Sequence, residues 1–396
     1  MRQAMLNLEA SRIREIANAG MGREDLLAFW FGESDEVTSE IIRNVAIDSL
    51  KIGETFYSQN LGIPILRDAI ANYASSLHKP VQLDRIAVTS GGVSALMLAC
   101  QALLGSGDEV VVITPVWPSL TAQPLIMGAE VHMVALLHTD GEWSLDLPRL
   151  LAAVTEKTKL LVVNSPNNPT GWTISQTEQQ TILEHCRKTG TWILSDEVYE
   201  RLYYEHSSNG CAPSFLDICE PDDQVVVVQS FSKSFLMTGW RLGWLVVPPK
   251  MISVIEKLIE FNTSCASVFA QRAGLIAIER QADITPRVLE HLRICRNTLV
   301  PLLQAIPGVT ASNPNGGMYA FFKLDIILAD NSLEIAKRLV VEAGIGLAPG
   351  DAFASGGNGW LRWCFATSNV ERLREGAKRL ESWTRVNRPK LIKNSL

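Results

Sequence analysis

The chain has 396 residues, of which 47% are hydrophobic and 20% are charged, and its formal net charge is −6 at pH 7. This composition is typical of a folded globular protein, and the length exceeds a single ordinary core, so we expect two domains. The acidic balance argues against a general affinity for nucleic acid or anionic membranes, because both require clustered lysine and arginine.

Two further features concern the cellular setting. The seven cysteines are scattered and show no C-x-x-C spacing, which predicts reduced thiols and neither a disulfide framework nor a metal site. The first twenty residues carry charges throughout, and no apolar run approaches the roughly 18 to 20 residues of a membrane span. We therefore expect a cytoplasmic protein without a membrane segment.

Between about residues 86 and 247, short β-branched runs alternate with helix-length segments. In chain order the runs are IAVTS, EVVVIT, EVHMV, KLLVVN, TWILSD, VVVVQS and LGWLVV. Runs that are apolar on both faces predict a mostly parallel, seven-stranded sheet covered by helices. The predicted helices of this region cover residues 93–104, 119–127, 175–188 and 250–261.

After about residue 263 the pattern changes. Amphipathic segments at 269–280 and 286–305 precede strands in GGMYAFFKL and WLRWCFA, with helices at 332–343 and 370–383 and an end, RPKLIKNSL, that we expect to be frayed. The fold class is therefore α/β with a second, smaller α+β domain. We assign residues 1–45 to a segment that joins the small domain, 46–280 to the large domain and 281–396 to the small domain.

Ligands of such sheets bind beyond the carboxyl ends of the strands, so the residues that follow the strands are candidates. Ser90-Gly91-Gly92-Val93 opens a helix whose free N–H groups suit a phosphate, although a Gly-Gly turn between a strand and a helix is more often purely structural. The stretch NSPNNPTG is either a rigid loop or a turn that aims an amide donor. Asp196 ends a buried strand, where a carboxylate needs a cation unless it caps a helix.

The stretch SFSKSFLMTGWRLG follows the strand VVVV and contains two cations. Lys233 lies between Phe231 and Phe235, and burial lowers the pKa of a lysine so that its amine becomes a nucleophile able to form an imine. A surface lysine fits these apolar neighbours poorly. Arg241 offers a permanent cation for a phosphate. A phosphate cradle, a buried carboxylate, an imine-forming lysine and an arginine are the groups that pyridoxal 5'-phosphate requires.

The motifs NSPNNPTG, SDEVYERLYY and SFSKSFLMTGWRLG, in this order and spacing, resemble the signature of the class I/II aminotransferases of pyridoxal-phosphate fold type I, the aspartate aminotransferase-like family. The resemblance extends from TFYSQNLGIPILRDAIANY to WLRWCFATSNVERL. It implies a homodimer with shared active sites that moves the amino group of an L-amino acid to a 2-oxo acid such as 2-oxoglutarate by a ping-pong mechanism. A β-lyase or decarboxylase uses the same cofactor residues and stays open, and a non-catalytic effector-binding module is a remote alternative.

The resemblance also implies roles for individual residues. Lys233 corresponds to the Schiff-base lysine and general base, Asp196 to the partner of the pyridine nitrogen, and Asn168 and Tyr199 to the hydrogen-bond partners of the phenolic oxygen. The remaining cofactor contacts are a ring-stacking residue, which is otherwise an ordinary buried tryptophan, and the phosphate-binding residues: Trp117, Gly92, Val93, Ser230, Ser232, Arg241 and, from the partner subunit, Tyr57. Arg362 corresponds to the residue that binds the substrate α-carboxylate, with Asn168 beside it and Gly32 leaving room.

One departure concerns substrate choice. Members of the family that use acidic substrates often carry a lysine directly after the Gly-Gly pair, where this chain has Val93. Several apolar or aromatic residues are expected near the substrate: Trp30, Phe31, Met318, Tyr319 and Phe353. They favour neutral, aliphatic or aromatic amino acids, unless an arginine from the partner chain binds an acidic side chain instead.

Overall fold

The computed structural model describes residues 1–325 and 332–393. Its strands are, in chain order, β1 (Leu27–Ala28), β2 (Ile86–Thr89), β3 (Glu109–Thr114), β4 (Glu130–Ala135), β5 (Leu137–Thr139), β6 (Glu142–Ser144), β7 (Thr158–Asn164), β8 (Trp192–Asp196), β9 (Val225–Ser230), β10 (Gly243–Val246), β11 (Val309–Ala311), β12 (Tyr319–Leu324), β13 (Ile345–Gly346), β14 (Ala348–Pro349) and β15 (Trp360–Cys364).

The helices are α1 (Gln3–Leu6), α2 (Arg12–Gly20), α3 (Glu40–Lys51), α4 (Pro64–Leu77), α5 (Gly92–Leu103), α6 (Ser119–Met127), α7 (Leu147–Ala153), α8 (Gln176–Thr189), α9 (Ile252–Thr263), α10 (Val268–Glu279), α11 (Gln281–Gln304), α12 (Ser332–Arg338) and α13 (Glu371–Lys393). Local sequence explains the bounds of several of them. Helix α8 begins after Ser175, which forms a capping box with Glu178, and it ends at Gly190 in the left-handed conformation.

The seven predicted strand runs form one seven-stranded sheet in the order β2-β10-β9-β8-β7-β3-β4. All neighbours are parallel except β10, which is antiparallel to β2 and β9. Alternate residues of β3 are buried on opposite faces of the sheet, with Val111 and Ile113 in one apolar cluster and Val110 and Val112 in the other. The prediction of a mostly parallel sheet covered on both sides is confirmed.

The small-domain sheet is antiparallel and has the order β11-β12-β15-β14. Helices α11, α12 and α13 pack around it and around each other. Strand β1 pairs in parallel with β13, through Leu27 with Ile345 and Ala28 with Gly346. This pairing favours the assignment of the N-terminal segment to the small domain, and the division into 1–45, 46–280 and 281–396 stays a prediction.

Three predicted helices differ from the structure. Helix α11 begins at Gln281, five residues before the proline that the sequence favours as a first helical residue, so Pro286 lies inside the helix. The segment predicted as a helix over 332–343 becomes a π-helical turn after Arg338.

Helix α13 continues beyond the predicted residue 383 to Lys393, so the expected fraying is wrong up to that residue, and residues 394–396 lie outside the described part. Asn387 explains the extension, because it is buried and accepts a hydrogen bond from Arg338 at 2.7 Å. In residues 1–325 and 332–393, no helix combines the length and the apolar character needed to cross a membrane.

Candidate active site

A cavity of about 580 Å³ opens at the carboxyl ends of the large-sheet strands. All of the predicted site residues line it except Tyr57: Gly32, Gly92, Val93, Trp117, Asn168, Asp196, Tyr199, Ser230, Ser232, Lys233, Arg241 and Arg362. Tyr57 lies on the connection between α3 and α4, and 86% of it is exposed. The structure therefore brings together residues that are up to 330 positions apart in the chain, such as Gly32 and Arg362.

Lys233 follows β9, and its side chain reaches across the cavity wall to the N-terminal segment. Its Nζ donates a hydrogen bond to the Gly32 carbonyl at 2.6 Å. Burial lowers the Lys233 pKa from 10.5 to about 8, because the charged amine loses its hydration. A larger fraction of this lysine is therefore neutral and nucleophilic near neutral pH than of a lysine in water.

Gly32 was predicted to leave room for a substrate carboxylate, and the structure shows that it leaves room for the Tyr319 side chain. A Cβ atom at this position would overlap the hydroxyl of Tyr319. The glycine is thus required by the packing of a cavity-lining tyrosine, whether or not a substrate carboxylate also needs the space.

Asp196 and Glu197 are adjacent buried carboxylates with different surroundings. Burial raises the pKa of each to about 7. Glu197 accepts hydrogen bonds from the Ser195 hydroxyl at 2.7 Å, the Ser214 hydroxyl at 2.5 Å and the Phe215 N–H at 3.1 Å. Asp196 faces the cavity, where its carboxylate receives a long backbone contact of 3.4 Å from Val198. Asp196 is therefore the carboxylate with room for a cationic partner in the cavity.

Asn164 and Tyr319 position other site residues, a role that was not predicted for either of them. Asn164 Oδ1 accepts a hydrogen bond from the Asn168 N–H at 2.8 Å, and Asn164 Nδ2 donates to the Asp196 carbonyl at 3.0 Å. A single amide thus ties the two strand ends together. The hydroxyls of Tyr199 and Tyr319 are hydrogen-bonded at 2.7 Å. Asn164 begins the quoted NSPNNPTG motif, so a signal for it was present in the sequence.

A second end of the cavity is built from glycine, serine and arginine. Gly91 precedes α5 with a φ of 95°, and a Cβ atom there would lie 2.5 Å from the guanidinium of Arg241. Arg241 donates to the Thr238 carbonyl at 2.6 Å and itself adopts a left-handed φ of 53°, which is uncommon for a residue with a side chain. Ser230 and Ser232 are linked by their hydroxyls at 2.9 Å. Helix N–H groups, hydroxyls and a guanidinium together form an anion site.

Arg362 is a buried cation on β15. Its Nη1 donates to Asn168 Oδ1 at 2.9 Å and its Nη2 donates to the Trp30 carbonyl, while Nε has no hydrogen-bond partner among the described residues. The guanidinium lies over the rings of Tyr319 and Phe353, at 4.5 and 4.9 Å from their centroids. Rigid packing and an unused donor suit this arginine to a carboxylate.

The aromatic residues expected near a substrate fall into two groups. Phe31 and Tyr319 line the cavity. Trp30 and Phe353 lie outside the lining and contact Arg362, Trp30 through its carbonyl and Phe353 through its ring. Met318 is buried outside the lining. Residues that line the cavity without having been predicted as site residues include Arg14, Glu33 and Thr238. Arg14 and Glu33 come from the N-terminal segment, where no local pattern indicated a site.

The residues present fit pyridoxal 5'-phosphate. A carboxylate open to a cation, a lysine with a lowered pKa and an anion site occur in one cavity, and these match the ring nitrogen, the aldehyde and the phosphate of that cofactor. In the described part of the chain, no group of three or more His, Cys, Asp or Glu residues could hold a metal ion.

Comparisons with known proteins agree with this geometry. The family model of the aminotransferases of class I and II matches residues 31–380. The aspartate aminotransferase of Thermotoga maritima is 34% identical over 91% of this chain and 92% of its own length, and a probable aspartate/prephenate aminotransferase of Aquifex aeolicus is 34% identical over 90% of each chain. A solved structure of a Thermus thermophilus aspartate aminotransferase mutant superposes with a TM-score of 0.89, at 30% identity, over 96% of this chain and 99% of the other.

The family match spans most of the chain, and the relatives are aligned over nearly their whole length, so the resemblance seen in the sequence motifs is confirmed. The chain belongs to the class I and II aminotransferases and is a pyridoxal-phosphate-dependent transaminase of fold type I.

Proposed function

We propose that this transaminase passes the amino group of an L-amino acid to 2-oxoglutarate, that it works as a homodimer, and that the predicted site residues carry the reaction. One observation carries the proposal: a lysine with a lowered pKa, a buried aspartate open to a cation and a buried arginine with an unused donor share one cavity. These are the three groups that bind and deprotonate an amino acid on this cofactor.

The proposed cofactor contacts give each residue the role that the family resemblance implies, and all of these residues line the cavity. Asp196 would keep the ring nitrogen protonated, and Asn168 and Tyr199 would hydrogen-bond the phenolic oxygen. The indole of Trp117 would offer the ring a flat apolar surface. The phosphate is held by backbone N–H groups and side chains at the anion end of the cavity: Gly92, Val93, Ser230, Ser232 and Arg241. The close approach of Arg241 to Gly91 supports this assignment, because it leaves the helix N-terminus and the guanidinium facing the same space.

Lys233 is the proposed amine and base. When bound, the cofactor supplies an aldehyde that forms an imine with an amine and a protonated ring that accepts the electrons released from a Cα–H bond. Lys233 Nζ, held beside the Gly32 carbonyl, removes the proton from the substrate Cα. The lowered pKa of Lys233 supports this role, because a neutral amine is needed to accept a proton.

Arg362 orients the substrate. Its guanidinium binds the α-carboxylate, which is common to the amino acid and to the 2-oxo acid, and Asn168 supports it from the side. An α-carboxylate fixed by a buried fork holds the Cα–H bond in one direction relative to Lys233 Nζ. Every substrate therefore depends on Arg362, whatever its side chain.

The proposed homodimer rests on exposed apolar surface near α3. Several large apolar side chains are exposed on α3 and just after it: Ile41, Ile47, Leu50, Ile52, Phe56 and Tyr57. Such a patch marks an interaction surface, and in a second copy it offers Tyr57 to the phosphate end of the partner's site. We also propose a cytoplasmic setting, which the seven free cysteines support.

A panel of L-amino acids with 2-oxoglutarate tests the function. We expect glutamate to accumulate in step with the loss of the donor amino acid, and the unmodified protein to elute as a dimer. Release of ammonia or carbon dioxide without glutamate would instead identify the lyase or decarboxylase that shares these residues, and a Lys233→Ala variant with full activity would contradict the assigned base.

A further inference from the structure

Among the described residues, four cationic side chains line the cavity: Arg14, Lys233, Arg241 and Arg362. Three of them have partners that fix their direction. Lys233 is bound to the Gly32 carbonyl, Arg241 to the Thr238 carbonyl, and Arg362 to Asn168 and Trp30. The proposed function uses each of these three, which leaves Arg14 as the cation of the lining without an assigned role.

Arg14 lies in the first turn of α2, where its N–H donates to the Ser11 hydroxyl at 3.3 Å. Its guanidinium lies over the ring of Phe31, 4.8 Å from the centroid, and the residue is exposed. Within residues 1–325 and 332–393, no carboxylate lies within ion-pair distance of it. Arg12, one half-turn earlier, differs: it pairs with Glu9 and Asp351, each at 3.1 Å. Stacking on Phe31 thus orients Arg14 while leaving its donors unused.

Glu33 is a candidate ion-pair partner of Arg14, because it is an anion that lines the same cavity. Its Oε2 accepts a hydrogen bond from the Thr238 hydroxyl at 3.3 Å, on the segment that leads to Arg241. Glu33 is therefore held toward the anion end of the cavity. An incoming carboxylate at Arg14 meets a guanidinium that has no internal anion to displace.

A 2-oxoglutarate acceptor brings two carboxylates into the cavity, and each is stabilised by a cationic partner. Arg362 takes the α-carboxylate, and Val93 stands where a cation for the second one was expected. A second carboxylate that gives up part of its hydration without meeting a cation costs affinity. Arg14 enters from α2, a separate element from the β15 strand of Arg362, so the two arginines offer two distinct anion sites in one cavity.

We propose that Arg14 binds the distal carboxylate of dicarboxylic substrates, glutamate and 2-oxoglutarate among them. This inference rests on the proposed transamination and names the residue of this chain that makes a dicarboxylate acceptable. A neutral side chain makes no use of the guanidinium and packs against apolar residues of the lining such as Ile13 and Phe31, the second of which lies under Arg14. Arg14 therefore discriminates between substrates and leaves the chemical step unchanged.

Half-reaction kinetics of the holoenzyme test the inference, with L-glutamate, L-aspartate, L-leucine and L-phenylalanine as donors. In Arg14→Gln we expect kcat/KM for glutamate to fall by about tenfold to a hundredfold, as for the loss of a charge-assisted hydrogen bond. The value for leucine and phenylalanine should change less than about twofold. Arg14→Lys, which keeps the charge but loses the planar fork, should give an intermediate loss.

Arg12→Gln is the matched control, because it breaks the ion pairs that fix α2 and lies outside the cavity lining. A purely structural role of α2 predicts a larger effect from Arg12→Gln than from Arg14→Gln, and equal losses for all four donors. Either result overturns the inference. So does a wild-type protein that reacts with leucine or phenylalanine and ignores glutamate, a result that leaves the proposed transamination standing.

Equilibrium binding gives a readout that is independent of turnover. Succinate and butyrate have the same number of carbons, but only succinate has a second carboxylate. The difference between their dissociation constants, measured by calorimetric titration, therefore reports the contribution of that second carboxylate. We expect the unmodified holoenzyme to prefer succinate by about tenfold or more, and Arg14→Gln to lose that preference. An unchanged preference overturns the inference. If the wild type shows no half-reaction with any donor, the proposed function itself fails and the inference fails with it.

Discussion

The floor and the rim of the cavity are built in different ways. The floor consists of Asp196, Asn168, Lys233 and Arg362. Arg362 donates to Asn168, the half-buried Lys233 donates to the Gly32 carbonyl, and the Asp196 carbonyl accepts from Asn164. The rim contains Arg14, which is exposed and stacks on one ring. Buried, cross-linked groups suit chemistry that is the same for every substrate, whereas an exposed cation suits a contact that some substrates make and others do not.

Replacement of Lys233, on the floor of the cavity, should slow the reaction with every substrate. We expect Lys233→Ala to lower kcat by about 10² to 10⁴-fold with acidic and neutral donors alike, because general base catalysis contributes about this much. Initial rates of glutamate formation measure the loss. Lys250→Ala, an exposed lysine against the ring of Trp192, is the control and should keep its activity. A loss confined to one class of donor would place Lys233 functionally with the rim.

Substitutions of Arg362 and Arg14 compare an arginine of the floor with one of the rim. Arg362→Gln removes two charge-assisted hydrogen bonds to the α-carboxylate, and we expect kcat/KM to fall by about 10² to 10³-fold for every donor. Arg14→Gln should affect dicarboxylates alone. Arg372→Gln, which breaks a surface ion pair with Asp35, controls for the loss of an arginine from the small domain. Equal selectivity profiles for Arg362→Gln and Arg14→Gln would remove the distinction between floor and rim.

Asp196 and Glu197 allow a floor residue to be compared with a buried carboxylate outside the cavity lining. Asp196→Asn should lower the transamination rate by about 10 to 10²-fold, because the ring nitrogen loses an anionic partner, with little change in Tm. Glu197→Gln should do the reverse, since Glu197 is bonded to Ser195, Ser214 and Phe215 and lies outside the cavity lining. Transamination rates and Tm values of the two variants test these roles. A rate loss in Glu197→Gln alone would contradict the assignment of Asp196 as the partner of the ring nitrogen.

The same contrast explains what the sequence could predict. Each floor residue follows or lies on an apolar run that is recognisable as a strand, and parallel strands bring their carboxyl ends to one edge, so Asp196, Lys233 and Asn168 were predictable as neighbours. The seven strands of the large sheet were predicted for the same reason, because β-branched runs bounded by turns carry a strong local signal.

The rim had no such signal. Arg14 reaches the cavity because β1 pairs with β13 and α2 packs on the small domain, and these contacts join segments more than 300 residues apart. Tertiary pairing of this kind leaves no local pattern in the sequence. The end of α13 was mispredicted for a related reason, since packing of Asn387 against Arg338, and not local propensity, carries α13 past residue 383.

The unfavourable burial of the Lys233 ammonium should appear in how the free energy of unfolding of the cofactor-free protein depends on pH. Burial lowers the Lys233 pKa from 10.5 to about 8. Between these values the unfolded chain binds more protons at this position than the folded protein does, so the Lys233 contribution to the free energy of unfolding rises with pH and is smallest below pH 8.

Lys233→Met removes this titration, so its stability relative to the wild type should be greatest at or below pH 8 and should decrease as the pH rises toward 10.5. Urea unfolding of the two apoproteins at pH 7, 8, 9 and 10 measures the difference. Lys250→Met, the same substitution at an exposed position, is the matched control. Parallel curves for Lys233→Met and the wild type would show that the floor lysine is hydrated as a surface lysine is, and the physical difference between floor and rim would be lost.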